Sequence, residues 1–413
     1  MKFLILFAQA HEKFRIHELE ALAEVEGLDV DLSGYSDDYP YLEVELASEH
    51  DAKRLVSRSF LIRSVYRVFG QGWSYDDVHA QTKGENFEFM GEKSFRFDFM
   101  CFQGSRTKDQ QVDIINGFRY LNLAGPVRMK KPDVAFTLIE QFGLLEKEPK
   151  YIWFTSFVSD SDRHQIDVYN LKKRPFIGTT SFDAEMAFVT CNMAKIQKND
   201  VVYDPFSGTG SFPVAAAYLE AIVFGSDIDI RSLKGYDKNF KFYNREKNLW
   251  GVSVMDFTHN ALRKDLVFDA IVCDPPYGVR EIIKVCGSKN PEKFAGKENV
   301  LIDNVPAHLR PEYIHPKRPY SLDLLLSDLL EFAAARLKVK GRLSFWMPLA
   351  SDDPLSAPTH AKLRIVSSIP QAFNKWQRWL ITYEKRPEGE LGETKSVESK
   401  QAFRAKYFSG FKE

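Results

Sequence analysis

The chain has 413 residues, of which 44% are hydrophobic and 27% charged, and a net charge of −1. That composition excludes a disordered chain and a bulk polycation, so any contact with nucleic acid must come from local basic clusters. The length calls for two or more domains, each with a buried core.

The four cysteines, Cys101, Cys191, Cys273 and Cys286, form no C-x-x-C pair and no zinc-spaced cluster with histidine. Reduced thiols, no structural metal and a cytoplasmic setting are therefore expected. The apolar run Phe3 to Ala8 is too short for a secretion signal, and no stretch is long enough to span a membrane.

Phe3 to Ala8 predicts a first strand. His17 to Glu26 has helical periodicity through Leu19, Leu22, Ala23 and Val25, and Gly27 is a natural stop. Tyr41 to Leu46 alternates like a half-buried strand, Asp51 to Ile62 reads as a helix, and Ser64 to Phe69 as another strand. This is a small α+β unit without a Gly-rich phosphate loop. Ser94 to Phe99 alternates again, and Gln110 to Leu121 looks helical. Arg128, Lys130 and Lys131 form a basic knot before Pro132, which reads either as a solvated charge run or as a phosphate-contacting loop. Strands follow at Asp133 to Glu140 and Tyr151 to Val158, then a turn or linker at Ser159 to His164.

A second basic cluster, Lys172, Lys173 and Arg174, precedes a helix expected over Ala184 to Ile196 with Ser181 as its N-cap. Thr180, Ser181 and Asp183 sit where side chains could reach a ligand at that helix start, or serve as caps alone. From Asp200 onward strands and helices alternate. The strands are Val201 to Tyr203, Ala221 to Phe224, Val252 to Met255, Phe268 to Cys273 and Arg342 to Trp346. The helices are Ser211 to Leu219, Asp237 to Leu249 and Leu322 to Leu337. Such alternation implies a parallel sheet. Lys362 to Ser368 and Arg378 to Glu384 resemble an antiparallel pair closing it, and residues 386–413 read as a tail or a loosely docked helix.

Two constellations carry chemistry. The first is VVYDPFSGTGSF, a strand, a Gly-rich turn and a helix start. Gly208 and Gly210 let backbone approach a ligand, with Phe206 between them and Asp204. The third glycine of a dinucleotide fingerprint is replaced by Pro213, and an acid at Asp204 repels pyrophosphate, so the loop suits a cationic ligand such as S-adenosyl-L-methionine. Asp227, preferred over Asp229, ends the next strand and can accept ribose hydroxyls. Asp256 follows the third strand and can accept the adenine amino group, with Phe257 against the adenine face.

The second constellation is Asp274, Pro275, Pro276 and Tyr277, directly after the apolar strand FDAIVC. The prolines hold the Asp274 carboxylate and the Pro275 carbonyl as a fixed pair of acceptors, and Tyr277 offers a ring for stacking. An exocyclic amine delocalises its lone pair into its ring. Accepting both of its N–H bonds lets that pair localise and attack a methyl donor. Four acids ending successive strands argue against an ordinary set of loops.

Residues 176–281 and 341–385 resemble the class I S-adenosylmethionine-dependent methyltransferases that modify tRNA amino groups, above all the eukaryotic catalytic subunits of tRNA guanine-10 N2-methyltransferase. The marks are IGTTSFDAEMA, DPFSGTGSF, GSDID, DPPYGVRE and KLRIVSSIPQAFNKWQRWLITYEK, while KKPDVAFTLIE is similar to the close of a THUMP domain. The resemblance implies an α/β fold. A C-terminal Rossmann-like methyltransferase domain is expected over 176–386, with a mostly parallel seven-stranded sheet and an antiparallel last strand. Before it come an N-terminal α+β ferredoxin-like domain (1–62), a THUMP RNA-binding domain (63–158) and a linker (159–175); a tail (387–413) follows. It implies methylation of a tRNA guanine N2, with Asp274 to Tyr277 holding the base and Asp204, Gly208, Gly210, Asp227 and Asp256 holding the cofactor. It also implies a heterodimer with a small zinc-binding activator subunit. An adenine N6-methyltransferase acting on RNA or DNA is the alternative enzyme, because both targets are exocyclic amines. A non-catalytic RNA-binding scaffold is the alternative of another class.

Overall fold

The computed structural model describes residues 1–290, 292, 295, 300–310, 313, 315–351, 353–395 and 403–410. It divides into two compact units, Met1–His164 and Gln165–Glu413. Residues 396–402 and 411–413 of the expected tail lie outside the described residues.

The first unit contains β1 (Lys2–Phe7), α1 (Glu12–Glu26), β2 (Tyr41–Glu45), α2 (Glu49–Val56), β3 (Ile62–Gly72), α3 (Tyr75–Thr82), β4 (Phe95–Phe102), α4 (Lys108–Asn116), β5 (Val134–Phe142) and β6 (Pro149–Asp160). Its six strands form one sheet in the order β2-β1-β3-β6-β5-β4. The boundary expected after residue 62 falls at the first residue of β3, which pairs with both β1 and β6. The two halves thus share one continuous sheet. Gly27 ends α1 in the left-handed region, as its missing Cβ allows. α3 was not expected from periodicity. It is set by a capping box in which Ser74 and Asp77 satisfy each other's backbone N–H. Phe97, Phe118, Phe136 and Phe154 pack as an aromatic core between β4, β5, β6 and the segment after α4.

The second unit contains α5 (Gln165–Val168), α6 (Ala184–Met193), β7 (Val201–Asp204), α7 (Ser211–Tyr218), β8 (Ile222–Asp227), α8 (Ile230–Leu233), α9 (Tyr236–Phe242), β9 (Leu249–Val254), β10 (Phe268–Cys273), β11 (Lys284–Cys286), β12 (Leu301–Ile302), β13 (Val305–Pro306), β14 (Lys317–Pro319), α10 (Leu322–Arg336), β15 (Leu337–Ala350), β16 (Leu363–Ala372), β17 (Trp376–Lys385) and α11 (Phe403–Phe408). Seven strands form a sheet in the order β16-β17-β15-β10-β7-β8-β9, and β17 alone runs against its neighbours. The mostly parallel seven-stranded sheet expected of a class I methyltransferase is present. β10 is apolar and buried from Ala270 to Cys273 because both faces are covered there, and α10 lays Leu325, Leu326, Leu329 and Leu330 into the same core. No described helix is long and apolar enough to cross a membrane.

Two local expectations are corrected. The helix expected over Asp237 to Leu249 stops at Phe242. Asn244 adopts φ 54°, a left-handed conformation that ends the helix and frees Leu249 to begin β9. The N-cap of α6 is Asp183, not Ser181: its Oδ1 accepts the Met186 N–H at 2.9 Å.

Candidate active site

β7, β8, β9 and β10 run parallel, so their carboxyl ends share one edge of the sheet. β7 and β8 end on Asp204 and Asp227, Asp274 directly follows β10, and Asp256 comes two residues after the end of β9. The charges of Asp227 and Asp274 act on Asp204, so these three lie together.

Asp204 is 1% exposed. Its Oδ1 accepts the Phe206 N–H at 2.9 Å, while Oδ2 is buried without a hydrogen-bond partner. Burial, reinforced by Asp227 and Asp274, pushes this carboxyl well above the ordinary range. A buried acceptor left open costs free energy until a donor arrives. Gly208 and Gly210 adopt φ 50° and 87°, and a Cβ on Gly210 would lie 3.0 Å from the Tyr236 ring. The turn therefore needs glycine for conformation and for space. Asp227 accepts the Gly208 N–H at 3.0 Å and the Asp229 N–H at 2.8 Å, one bond on each oxygen. Each oxygen keeps a lone pair for a hydroxyl donor. Burial raises its pKa to about 6. Asp229 is spent on Arg231, which favours Asp227 as the ligand.

The other cofactor candidates fare unequally. Ser181 Oγ bonds Thr209 Oγ1 of the glycine loop at 2.7 Å, and Thr180 Oγ1 donates to Glu281 at 2.9 Å. Both therefore border the crevice. Asp183 is committed to its cap and to Arg378, 3.7 Å from Oδ2. The Asp256 carboxylate is occupied by Thr258, by His259 and by the Cys286 N–H at 2.7 Å. These bonds close its own loop and leave it little capacity for an adenine amine. Phe257, 3% exposed, is packed edge-on behind Phe206 and on Phe332. Phe206 is the half-buried ring of the pair.

Asp274 is half-buried, Pro275 buried, and Pro276 and Tyr277 half-buried. The Tyr277 hydroxyl donates to Asp274 Oδ1, so the tyrosine adds a polar contact to its ring face. Oδ2 has no hydrogen-bond partner among the described residues. Burial raises Asp274 to about 6; Tyr277 and the Arg378 charge oppose the rise, and Glu281 adds to it. The Glu281 charge also acts on Asp227. Arg378 and Glu281 were not singled out from sequence. Glu281 lay within reach, four residues after Pro276–Tyr277 in DPPYGVRE. Arg378 comes from β17 and had no local signal.

Arg128, Lys130, Lys131, Lys172 and Lys173 are exposed, as a phosphate contact requires. Arg174 is corrected: it is 6% exposed and donates to Ser211 Oγ at 2.9 Å, inside the core beside α7. It stands behind the glycine turn and presents no charge to a backbone.

Residues 1–163 match the family model described as Tmrp11 THUMP N-terminal domain, and residues 172–284 match the RMKL-like methyltransferase domain. The chain is 42% identical to the tRNA (guanine(10)-N(2))-methyltransferase of Saccharomyces cerevisiae, covering 99% of both chains. It is 32% identical to the mouse tRNA (guanine(10)-N(2))-methyltransferase TRMT11, over 99% of this chain and 95% of that one. Among solved structures, TrmN from Thermus thermophilus aligns with a TM-score of 0.46 at 15% identity, over 93% of this chain and 100% of that one. With an alternating sheet, an acid-tipped crevice and full-length relatives at this identity, the chain belongs to the tRNA (guanine(10)-N(2))-methyltransferase family.

Proposed function

We propose that the chain transfers a methyl group from S-adenosyl-L-methionine to the N2 amine of guanosine 10 in tRNA, with Asp274 and the Pro275 carbonyl accepting the two amine protons. One observation carries the reading: Asp274, with Oδ2 open, stands in the same crevice as the unpartnered Asp204 Oδ2. S-adenosylmethionine supplies, when bound, an electrophilic methyl on a sulfonium. Its donor groups fit the residues present: Asp204 Oδ2 can accept its ammonium, Asp227 its ribose hydroxyls, and Gly208 and Gly210 admit its chain. The amine N–H bonds to Asp274 and Pro275 localise the nitrogen lone pair along the line of attack. Asp274, held near 6, is ionised at neutral pH and takes the proton that the methylated nitrogen sheds. The Tyr277 ring borders the base that must be flipped into reach.

The exposed lysines and Arg128 suit the tRNA backbone. The free sheet edge β9 shows Trp250, Val252 and Val254 at 56%, 39% and 51% exposure, an apolar edge suited to a small activator subunit. A cytoplasmic site of action accords with four free thiols. The test is tritiated methyl transfer onto unmodified tRNA, with and without the activator, followed by nucleoside mapping. N2-methylguanosine at position 10 is the expected product. Label in N6-methyladenosine instead, or none with the activator present, would refute it.

A further inference from the structure

The stretch after residue 386, expected as a tail or a loosely docked helix, carries α11, and α11 lies beside the Asp274–Tyr277 motif. Phe403 and Tyr407, four residues apart, share one face of the helix. Phe403 is 9% exposed. Both rings pack on Trp376, with centroids 5.8 Å and 6.5 Å away. Trp376 opens β17, stacks on Phe373 at 4.5 Å and meets the Tyr277 ring edge-on at 6.4 Å. One indole thus joins α11 to the Tyr277 ring. Two polar ties hold the segment in place: Lys406 Nζ donates to Asp353 Oδ1 at 2.5 Å, and Lys375 Nζ donates to the Gly410 carbonyl at 3.2 Å.

The other face is turned outward. Arg404 and Phe408 are exposed, again four residues apart, and the guanidinium carbon sits 5.4 Å from the Phe408 ring centroid. Phe408 is 64% exposed. No carboxylate pairs with Arg404 among the described residues. The arginine borders the motif directly: its Cδ lies 3.4 Å from where a Cβ on Gly278 would stand, and Gly278 is the residue after Tyr277.

Charge selects the occupant of this face. Residues 400–412 hold Lys400, Arg404, Lys406 and Lys412 and no acid, in a chain whose net charge is −1. A local basic cluster is how a chain without bulk basicity holds a polyanion. A base that swings into the pocket brings its own phosphates to the rim, so a cation beside Tyr277 meets RNA backbone. Arginine grips phosphate with its fork, and an exposed ring next to it suits stacking on an unpaired base.

We propose that α11 is an RNA-contacting element at the rim of the base pocket, in which Arg404 takes a phosphate next to the methylated nucleotide and Phe408 stacks on a neighbouring base. The proposal rests on the reading of Asp274 to Tyr277 as the motif that holds the target base. The Phe403, Tyr407 and Trp376 rings hold the element against that motif.

The test uses the full chain with the activator subunit and unmodified tRNA. Wild type, Arg404→Gln, Arg404→Lys and Phe408→Ala are compared for tRNA affinity across a salt series and for S-adenosylmethionine affinity by calorimetry. Arg404→Gln should weaken tRNA binding about threefold to tenfold and lower the slope of affinity against salt by about 1. Arg404→Lys should keep that slope while recovering only part of the affinity. Phe408→Ala should weaken binding about threefold to tenfold with the slope unchanged. Cofactor affinity should stay within about twofold in all three. A photo-reactive benzoylphenylalanine placed at the exposed position 408 should cross-link to tRNA within a few nucleotides of the methylated guanosine. A slope untouched by Arg404→Gln, or lowered equally by Arg404→Lys, overturns the proposal. So does full affinity in Phe408→Ala, or a cross-link to the activator or to a distant part of the tRNA. No guanine methylation by the wild type would instead sink the proposed function, while binding and cross-linking still report on α11, so the two failures are told apart.

Discussion

Asp274→Asn should make the cofactor-free protein more stable while destroying its activity. The Asp274 carboxyl is held at about 6 by burial, against an ordinary value of 3.8. A carboxyl with a raised folded pKa favours folding while it is protonated. That contribution is complete below 3.8 and is lost as pH rises through about 6. The gap between the two values corresponds to about 3 kcal/mol, an upper bound for a half-buried group, and screening brings the expectation to about 1–3 kcal/mol. Asparagine cannot ionise, yet its Oδ1 still accepts the Tyr277 hydroxyl. Urea unfolding at pH 5 and pH 8, followed by a probe in the methyltransferase unit, should show the variant ahead at both, by about half as much at pH 5, where the unfolded carboxyl is already ionised, as at pH 8. The urea dependence should be unchanged. Asp227 is shifted the same way but is common to both proteins and cancels, whereas Asp204, raised in part by the Asp274 charge, is relieved in the variant and adds to its advantage at pH 8. Methyl transfer should fall by about two or three orders of magnitude, since the amide offers N–H donors where the amine needs acceptors. A variant less stable than wild type at pH 8, or an offset equal at both pH values, would refute the buried-charge argument.

Asp227→Asn should weaken S-adenosylmethionine binding about tenfold, read by calorimetry, with the thermal midpoint unchanged or raised; unchanged affinity would remove Asp227 from the cofactor site. Gly210→Ala should cost about 1–3 kcal/mol of stability, because φ 87° is strained for alanine and its Cβ would press on Tyr236. A neutral result by thermal unfolding would show that the turn relaxes freely. Lys130→Ala with Lys131→Ala should weaken tRNA binding and lower the slope of affinity against salt by about 2. Arg174→Met should leave that slope untouched and lower the melting temperature instead, since Arg174 is buried against Ser211.

Local chemistry was legible wherever short-range physics decides it. Period-two and 3.6-period apolar patterns located β1, β2, β5, β6, β10, α6, α7 and α10, and alternation alone implied the parallel sheet. Asp204, Asp227 and Asp274 were found because a parallel strand delivers its last residue to the crevice, so sequence position is itself a spatial coordinate. Tertiary structure decided what each polar group does there. Asp183 and Asp256 carry the right charge in the right register, yet Asp183 caps α6 beside Arg378 and the Asp256 oxygens are taken by Thr258 and the Cys286 N–H. Arg174 sits in a run with Lys172 and Lys173 but turns inward, because orientation of one side chain depends on the packing beneath it. Arg378 enters from the antiparallel strand after Trp376, far along the chain from Asp274. Only the closing of β17 beside β15 brings its charge into range of Asp274, and no local spacing encodes that proximity.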